Sequence, residues 1–222
     1  MTTTPDPAQE PLTLYVDRFW ISPYSFHAYV ALVEKRLQFQ VVELGLDRKD
    51  HHADYYAAGS LTGRVPALRH GDYWLSESSA ISEYLAETFP FPGHPRLFPA
   101  DLRDRGRARQ LMAWIRSDLM PIRTERPTTS VFYEPATEPL SAAGEKAAAH
   151  LLKVADTLIA EGRTTLFADW CIADSDFALM LQRLMRSGYP VPAKVKAYVD
   201  AQWARPSARQ WTERQRPEYV GY

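Results

Sequence analysis

Reactive sulfur is nearly missing from this sequence: Cys171 is the single cysteine in 222 residues. One thiol cannot close an intramolecular disulfide, and there is no C-x-x-C pair for redox chemistry or zinc. An excess of charge of one sign is also missing. Lys and Arg total 26 against 27 Asp and Glu, a net charge of −1, which argues against a nucleic acid or other polyanion as the main partner. No apolar run approaches the ~20 residues of a membrane-spanning helix, so no membrane partner is expected. Residues 1–11 have neither the cationic start nor the apolar centre of a signal peptide. They are expected to form a loose tail, and the protein is expected to be cytoplasmic. No internal repeat is present.

What is there falls into two compositional halves. Leu12, Leu14 and Val16 alternate as in a strand, residues 24–37 carry a helical apolar pattern, and 39–44 read as a second strand. A polar stretch from Asp47 to Ala58 suggests a loop and a short helix. Val65–Arg69 and Tyr73–Leu75 are short strands split by the turn His70-Gly71-Asp72. A helix follows, with Ile81, Tyr84 and Leu85 on one face, giving the order β-α-β-α-β-β-α over residues 12–89. Residues 90–99 hold four prolines and a glycine and read as a linker. Beyond it, residues 100–222 are dominated by helical patterns at about 101–120, 141–161, 172–187 and 192–204, with 205–222 mostly irregular. The expected class is thus α/β followed by all-α. Arg103, Arg105, Arg107 and Arg109, interspersed with acids, read as a solvated helix face.

Three short motifs carry chemical meaning. Ser22-Pro23-Tyr24-Ser25 lies between the first strand and first helix; Pro23 suits a first-turn position and Ser22 an N-cap. Val65-Pro66 opens the third strand, as an edge proline or as a cis peptide presenting the Val65 backbone to a ligand strand. The third is Glu77-Ser78. Ser76, Ser78 and Ser79 are all N-cap candidates for the helix that follows, yet none has Glu or Gln three residues later to complete a capping box. A helix mouth favours an anion, while Glu77 favours a cation. A ligand carrying a carboxylate beside an ammonium, as an α-amino acid does, satisfies both; simple dipole compensation by Glu77 is the alternative.

Together with Gly63-Arg64-Val65-Pro66-Ala67-Leu68, Glu77-Ser78-Ser79-Ala80-Ile81 and Ile172-Ala173-Asp174, these motifs resemble the glutathione transferase family over residues 12–210. The stretches 113–123 and 169–174 are similar to its bacterial YfcF-like members, near the theta and zeta classes. The resemblance implies a thioredoxin-like N-terminal domain, an all-helical substrate-binding domain and a homodimer. It implies that Glu77 and Ser78 hold the γ-glutamyl head group of glutathione, that Val65 pairs with its cysteinyl backbone, and that Arg64 with His51, His52 or both meets its glycine carboxylate. Pro66 comes with Val65. Solvated loop residues are the alternative for the two histidines, and no spacing supports a metal site.

Ser22 stands where glutaredoxin-like relatives carry a cysteine. A serine cannot form a mixed disulfide, but it can donate O–H to the glutathione sulfur and lower its pKa. Ser25, Tyr24 and Tyr15 are alternatives. The expected activity is thiolate attack on a small electrophile, with glutathione as co-substrate and no further cofactor. Trp114, Met120, Arg123, Phe132 and Tyr133 are candidates for the electrophile pocket, although core packing accounts equally well for Trp114 and Met120. Peroxidase or disulfide-reductase chemistry, zeta-like isomerisation, and non-catalytic glutathione binding are the other readings. Cys171 is expected to be buried and inert, at a helix start where the family usually has Ser or Thr.

Overall fold

The first half is organised around β1 (Leu12–Asp17), whose LTLYVD sequence is buried on both faces. The structure, a computed structural model, describes residues 10–221. β2 (Gln40–Leu44) runs parallel to β1, while β3 (Ala67–His70) and β4 (Tyr73–Ser76) are antiparallel additions. The sheet order is β2-β1-β3-β4. A parallel β1–β2 pair needs a crossover, and α1 (Pro23–Glu34) supplies it. α1 packs against α3 (Ser78–Thr88), with the fully buried Leu14, Phe26, Ile81 and Leu85 among the core residues. On the opposite face Tyr15 stacks on Trp74 at 4.9 Å and meets Tyr56 edge-on at 5.5 Å. Tyr56 belongs to α2 (Asp54–Gly59), whose Gly59 lies so close to the Trp74 indole that a Cβ would fall 2.5 Å from it.

The second half contains α4 (Leu102–Ser117), α5 (Met120–Glu125), α6 (Thr129–Phe132), α7 (Ala142–Leu158), α8 (Ile172–Arg186), α9 (Ala193–Trp203) and α10 (Pro206–Thr212). α8 is its centre, buried on nearly every face and packed against α4, α6 and α9. Asp101 caps α4, accepting the N–H groups of Arg103 and Asp104 at 2.9 and 3.0 Å.

The boundaries differ from those drawn on composition. Among the described residues the chain divides into 10–97 with 213–221, and 98–212. The expected linker is therefore split, and the C-terminal segment belongs with the first unit. Its attachments include ring contacts: the Arg214 guanidinium lies 3.7 Å from the Trp20 ring centroid, and Tyr219 meets Phe19 edge-on at 5.2 Å. α6 and α10 stand where irregular chain was expected; each is short, and its pattern gives periodicity little to register.

Candidate functional site

Strand register gathers the sequence motifs at one end of the sheet. Asp17 pairs with Leu44, Tyr15 with Ala67, and Ala67 with Ser76. The C-terminal ends of β1, β2 and β4 and the N-terminal end of β3 therefore share one edge. The segments leaving or entering there carry Ser22, His51, His52, Arg64, Val65, Pro66, Glu77 and Ser78. The N-termini of α1 and α3 lie at this edge as well.

Ser22 is the N-cap of α1, with φ −64 and ψ 120. Its Oγ accepts the Ser25 N–H at 3.2 Å. A hydroxyl can accept and donate at once, so this bond leaves the O–H hydrogen able to point outward. Ser25 is fully buried, whereas Ser22 and Tyr24 are half-buried. Tyr15 is buried in β1 with its ring against Trp74. Of the alternative hydroxyls, burial thus counts against Ser25 and Tyr15.

The Val65-Pro66 peptide bond is cis. Pairing of β3 begins at Ala67, so Val65 stands just outside the ladder. Its side chain packs against the cluster of Tyr15, Leu44, Tyr56 and Ala67. Tyr56 Oη donates to the Arg64 carbonyl at 2.6 Å, and the Ser60 and Ser76 hydroxyls bond each other at 3.0 Å. The path of the chain into β3 is thereby fixed at two points, while the Arg64 side chain is exposed.

At α3 the structure corrects the cap assignment. None of the three serines takes the N-cap; Glu77 does, at φ 70 and ψ 115 and without a side-chain cap bond. A non-glycine residue there costs about 1–3 kcal/mol. Glu77 is exposed, and Ser78 is buried in the first turn. His51 and His52 lie on a 3₁₀ turn, Asp50–His52, ring against ring at 4.2 Å. Burial first, then the neighbouring His52, lowers the His51 pKa from its ordinary value. Among the described residues, no group of three or more His, Cys, Asp or Glu could hold a metal ion.

Of the five electrophile-pocket candidates, one lines the cavity described in the second unit. Trp114 lines a cavity of about 510 Å³ between α4 and α7, with Arg107, Leu111, His150 and Lys153, and its ring meets His150 at 5.3 Å. None of the other four lines that cavity. Met120 is exposed, Arg123 donates to the Arg116 carbonyl at 2.6 Å, and Phe132 and Tyr133 are half-buried at the end of α6.

Sequence reasoning missed Asp17. Its buried carboxylate accepts the Ile21 N–H on Oδ1 and the Ser22 N–H on Oδ2, each at 3.0 Å. An acid closing an otherwise apolar strand, five residues before the cap, was the available signal.

Family models for the glutathione S-transferase N-terminal domain and C-terminal domain match residues 10–87 and 101–214. The chain belongs to the glutathione S-transferase family. Its first unit is the thioredoxin-like domain of that family, with the mixed four-stranded sheet described above. A glutathione transferase homologue from Burkholderia gl BGR1, solved with bound glutathione, is 46% identical with a TM-score of 0.78, over 92% of this chain and 97% of that one. Maleylpyruvate isomerase from Ralstonia sp is 35% identical over 108 residues, 49% of this chain and 50% of that protein. Glutathione S-transferase theta-1 from Rattus norvegicus is 32% identical over 103 residues, 46% of this chain and 41% of that protein. The chain thus spans half or less of the length of these two curated relatives. Among the described residues, no helix is long and apolar enough to cross a membrane.

Proposed function

We propose that this glutathione S-transferase family member binds glutathione at the common sheet edge and uses Ser22 to hold the glutathione sulfur as a thiolate for attack on a small electrophile. The observation that carries the reading is the meeting of three elements at that edge: the α1 mouth with Ser22, the unpaired start of β3 at Val65, and the α3 mouth with Glu77 and Ser78. In this reading the γ-glutamyl ammonium pairs with Glu77 and its carboxylate sits on Ser78. The cysteinyl backbone pairs with Val65 beside Pro66. Arg64, His51 and His52 are within the segments that meet the glycine carboxylate. The 46% identity with the Burkholderia protein, which holds glutathione, supports the ligand.

The chemistry needs little from the protein beyond charge control. A free thiol with a pKa near ~8.5 is only a few per cent ionised at pH 7; lowering it by about two units makes the thiolate dominant, worth roughly 2.7 kcal/mol. The thiol proton passes to water. The sulfur lone pair then forms the C–S bond, and a leaving group departs with its electron pair. No other cofactor enters these steps. The likeness to Maleylpyruvate isomerase supports a second outcome at the same site. There the thiolate adds to a conjugated double bond, the resulting single bond rotates, and the thiolate leaves again. Product analysis with an activated aryl halide and with a cis-unsaturated diacid separates conjugation from isomerisation. The reading extends to a homodimer, which sedimentation velocity tests.

The role of Ser22 is tested by titrating bound glutathione through its ultraviolet thiolate band. Wild type is expected to hold a thiolate at pH 7. In Ser22→Ala the thiol should return toward its free value, with turnover reduced in parallel. An unchanged titration in Ser22→Ala would remove the role assigned to the hydroxyl.

A further inference from the structure

A hydroxyl influences a bound sulfur only if the loop beneath it holds still, and one residue organises that loop. The Asp17 carbonyl accepts the Trp20 N–H at 3.1 Å, closing a turn in which Trp20 takes a left-handed conformation with φ 55. The Asp17 carboxylate then gathers the next two amides, Ile21 on Oδ1 and Ser22 on Oδ2, both at 3.0 Å. Its side chain is fully buried.

A turn alone does not require such a group. Asparagine or serine closes turns without burying a charge, and a buried carboxylate carries a penalty of several kcal/mol before compensation. Burial indeed raises the Asp17 pKa, and the loop's backbone N–H groups oppose that rise. What a carboxylate offers, and an amide does not, is two acceptor oxygens for two adjacent N–H groups. With the Ser22 N–H pinned from within and its Oγ tied to the Ser25 N–H at 3.2 Å, rotation of the hydroxyl hydrogen is the freedom left to the group.

We propose that Asp17 is a positioning residue for Ser22: its two carboxylate oxygens lock the Ile21 and Ser22 amides, and so aim the Ser22 hydroxyl at the sulfur of bound glutathione. The inference rests on the reading of Ser22 as the sulfur's hydrogen-bond donor. Asp17→Asn is the sharpest variant. It keeps shape and one acceptor oxygen but turns an N–H donor toward the second amide.

The test is a double-mutant cycle on the ultraviolet thiolate band of bound glutathione, with wild type, Asp17→Asn, Ser22→Ala and the double variant. The thiolate-to-thiol ratio at fixed pH is expected to fall about tenfold in Asp17→Asn. In the Ser22→Ala background Asp17→Asn should change it less than twofold, because there is no hydroxyl left to aim. Binding of S-methylglutathione, which has no thiol to ionise, should change less than threefold in Asp17→Asn; a merely structural role would weaken both ligands alike. An unchanged thiol in Asp17→Asn, with a clear shift in Ser22→Ala, overturns the role of Asp17 and leaves that of Ser22. Equal shifts from Asp17→Asn in both backgrounds also overturn it. No shift in Ser22→Ala overturns the Ser22 reading and this inference with it. Should Asp17→Asn not fold, amide hydrogen exchange on wild type decides. Strong protection of Ile21 and Ser22 in the ligand-free protein supports the lock, and exchange at unstructured rates overturns it.

Discussion

Two helices in this protein begin in opposite ways, α3 in the first unit and α8 in the second. At α8 a buried carboxylate serves its neighbours inside the fold. The Asp174 carboxylate accepts the Cys171 N–H at 2.9 Å, the Leu166 N–H at 2.8 Å and the Tyr198 hydroxyl at 3.0 Å, all in a fully buried setting. At α3 the cap residue Glu77 is exposed, sits at φ 70 and makes no side-chain cap bond. Free N–H groups at a helix start are a cost when buried and an anion site when open. The first arrangement spends its acid on the fold, while in the proposed function the second offers its acid to the ammonium of glutathione.

The comparison is broken most severely at the closed end. Asp174→Ala removes the acceptor of two buried N–H groups at once, while the Tyr198 hydroxyl keeps the Asp174 carbonyl at 3.1 Å. Each buried orphan costs about 1–3 kcal/mol, so a loss near 4 kcal/mol is expected, among the largest that single substitutions produce. Urea denaturation measures it. Glutathione affinity of the remaining folded protein should be unchanged, because Asp174 and the sheet-edge site lie in different units. A loss below about 1 kcal/mol would show that the α8 start is not the structural clamp its bonds suggest.

The open end should respond in the opposite sense. Glu77→Gly removes a side chain from a backbone conformation that only glycine adopts without strain, so stability should rise by about 1 kcal/mol. The same change removes the carboxylate assigned to the glutathione ammonium. Charge-assisted hydrogen bonds are worth about 1.5–3 kcal/mol, so affinity should fall about tenfold to a hundredfold. Isothermal titration with glutathione and thermal unfolding give both numbers on one sample. A variant that gains neither stability nor loses affinity would mean that the strain at Glu77 serves no ligand.

How much of this was legible in the sequence follows the same division. Periodicity gave the β-α-β-α-β-β-α order, since the apolar residues of β1, α1 and α3 all face a core. Chain order alone also placed Ser22, Val65 and Glu77 at element boundaries, where the strand register brings them to one edge. The role of Glu77 as the cap was not legible. Propensity favoured its serine neighbours, and a positive φ on Glu leaves no trace in a pattern of residue types. Asp17 was missed because its bonds run along an irregular turn, where no repeat exists to detect. The return of residues 213–221 to the first unit rests on Arg214 over Trp20 and Tyr219 on Phe19, contacts between distant positions that composition does not encode.

The smallest effect sharpens the comparison at its one imperfect point. The Asp174 side of a reciprocal cap at α8 is strong, but a sulfur stands at Cys171 where the usual partner is a hydroxyl. Burial, and next the charge of Asp174, push the Cys171 thiol far up, so it stays protonated and unreactive in the folded state. Cys171→Ser puts a better acceptor before the N–H of Asp174 and a better donor toward its carboxylate, in nearly the same volume. The buried hydroxyl thus gains partners on both sides, and a gain of about 0.5 kcal/mol is expected. Paired urea titrations resolve a change of that size. If Cys171→Ser instead lost 1 kcal/mol or more, the site would be selecting for an apolar sulfur rather than for a cap, and the closed helix start would owe its strength to Asp174 alone.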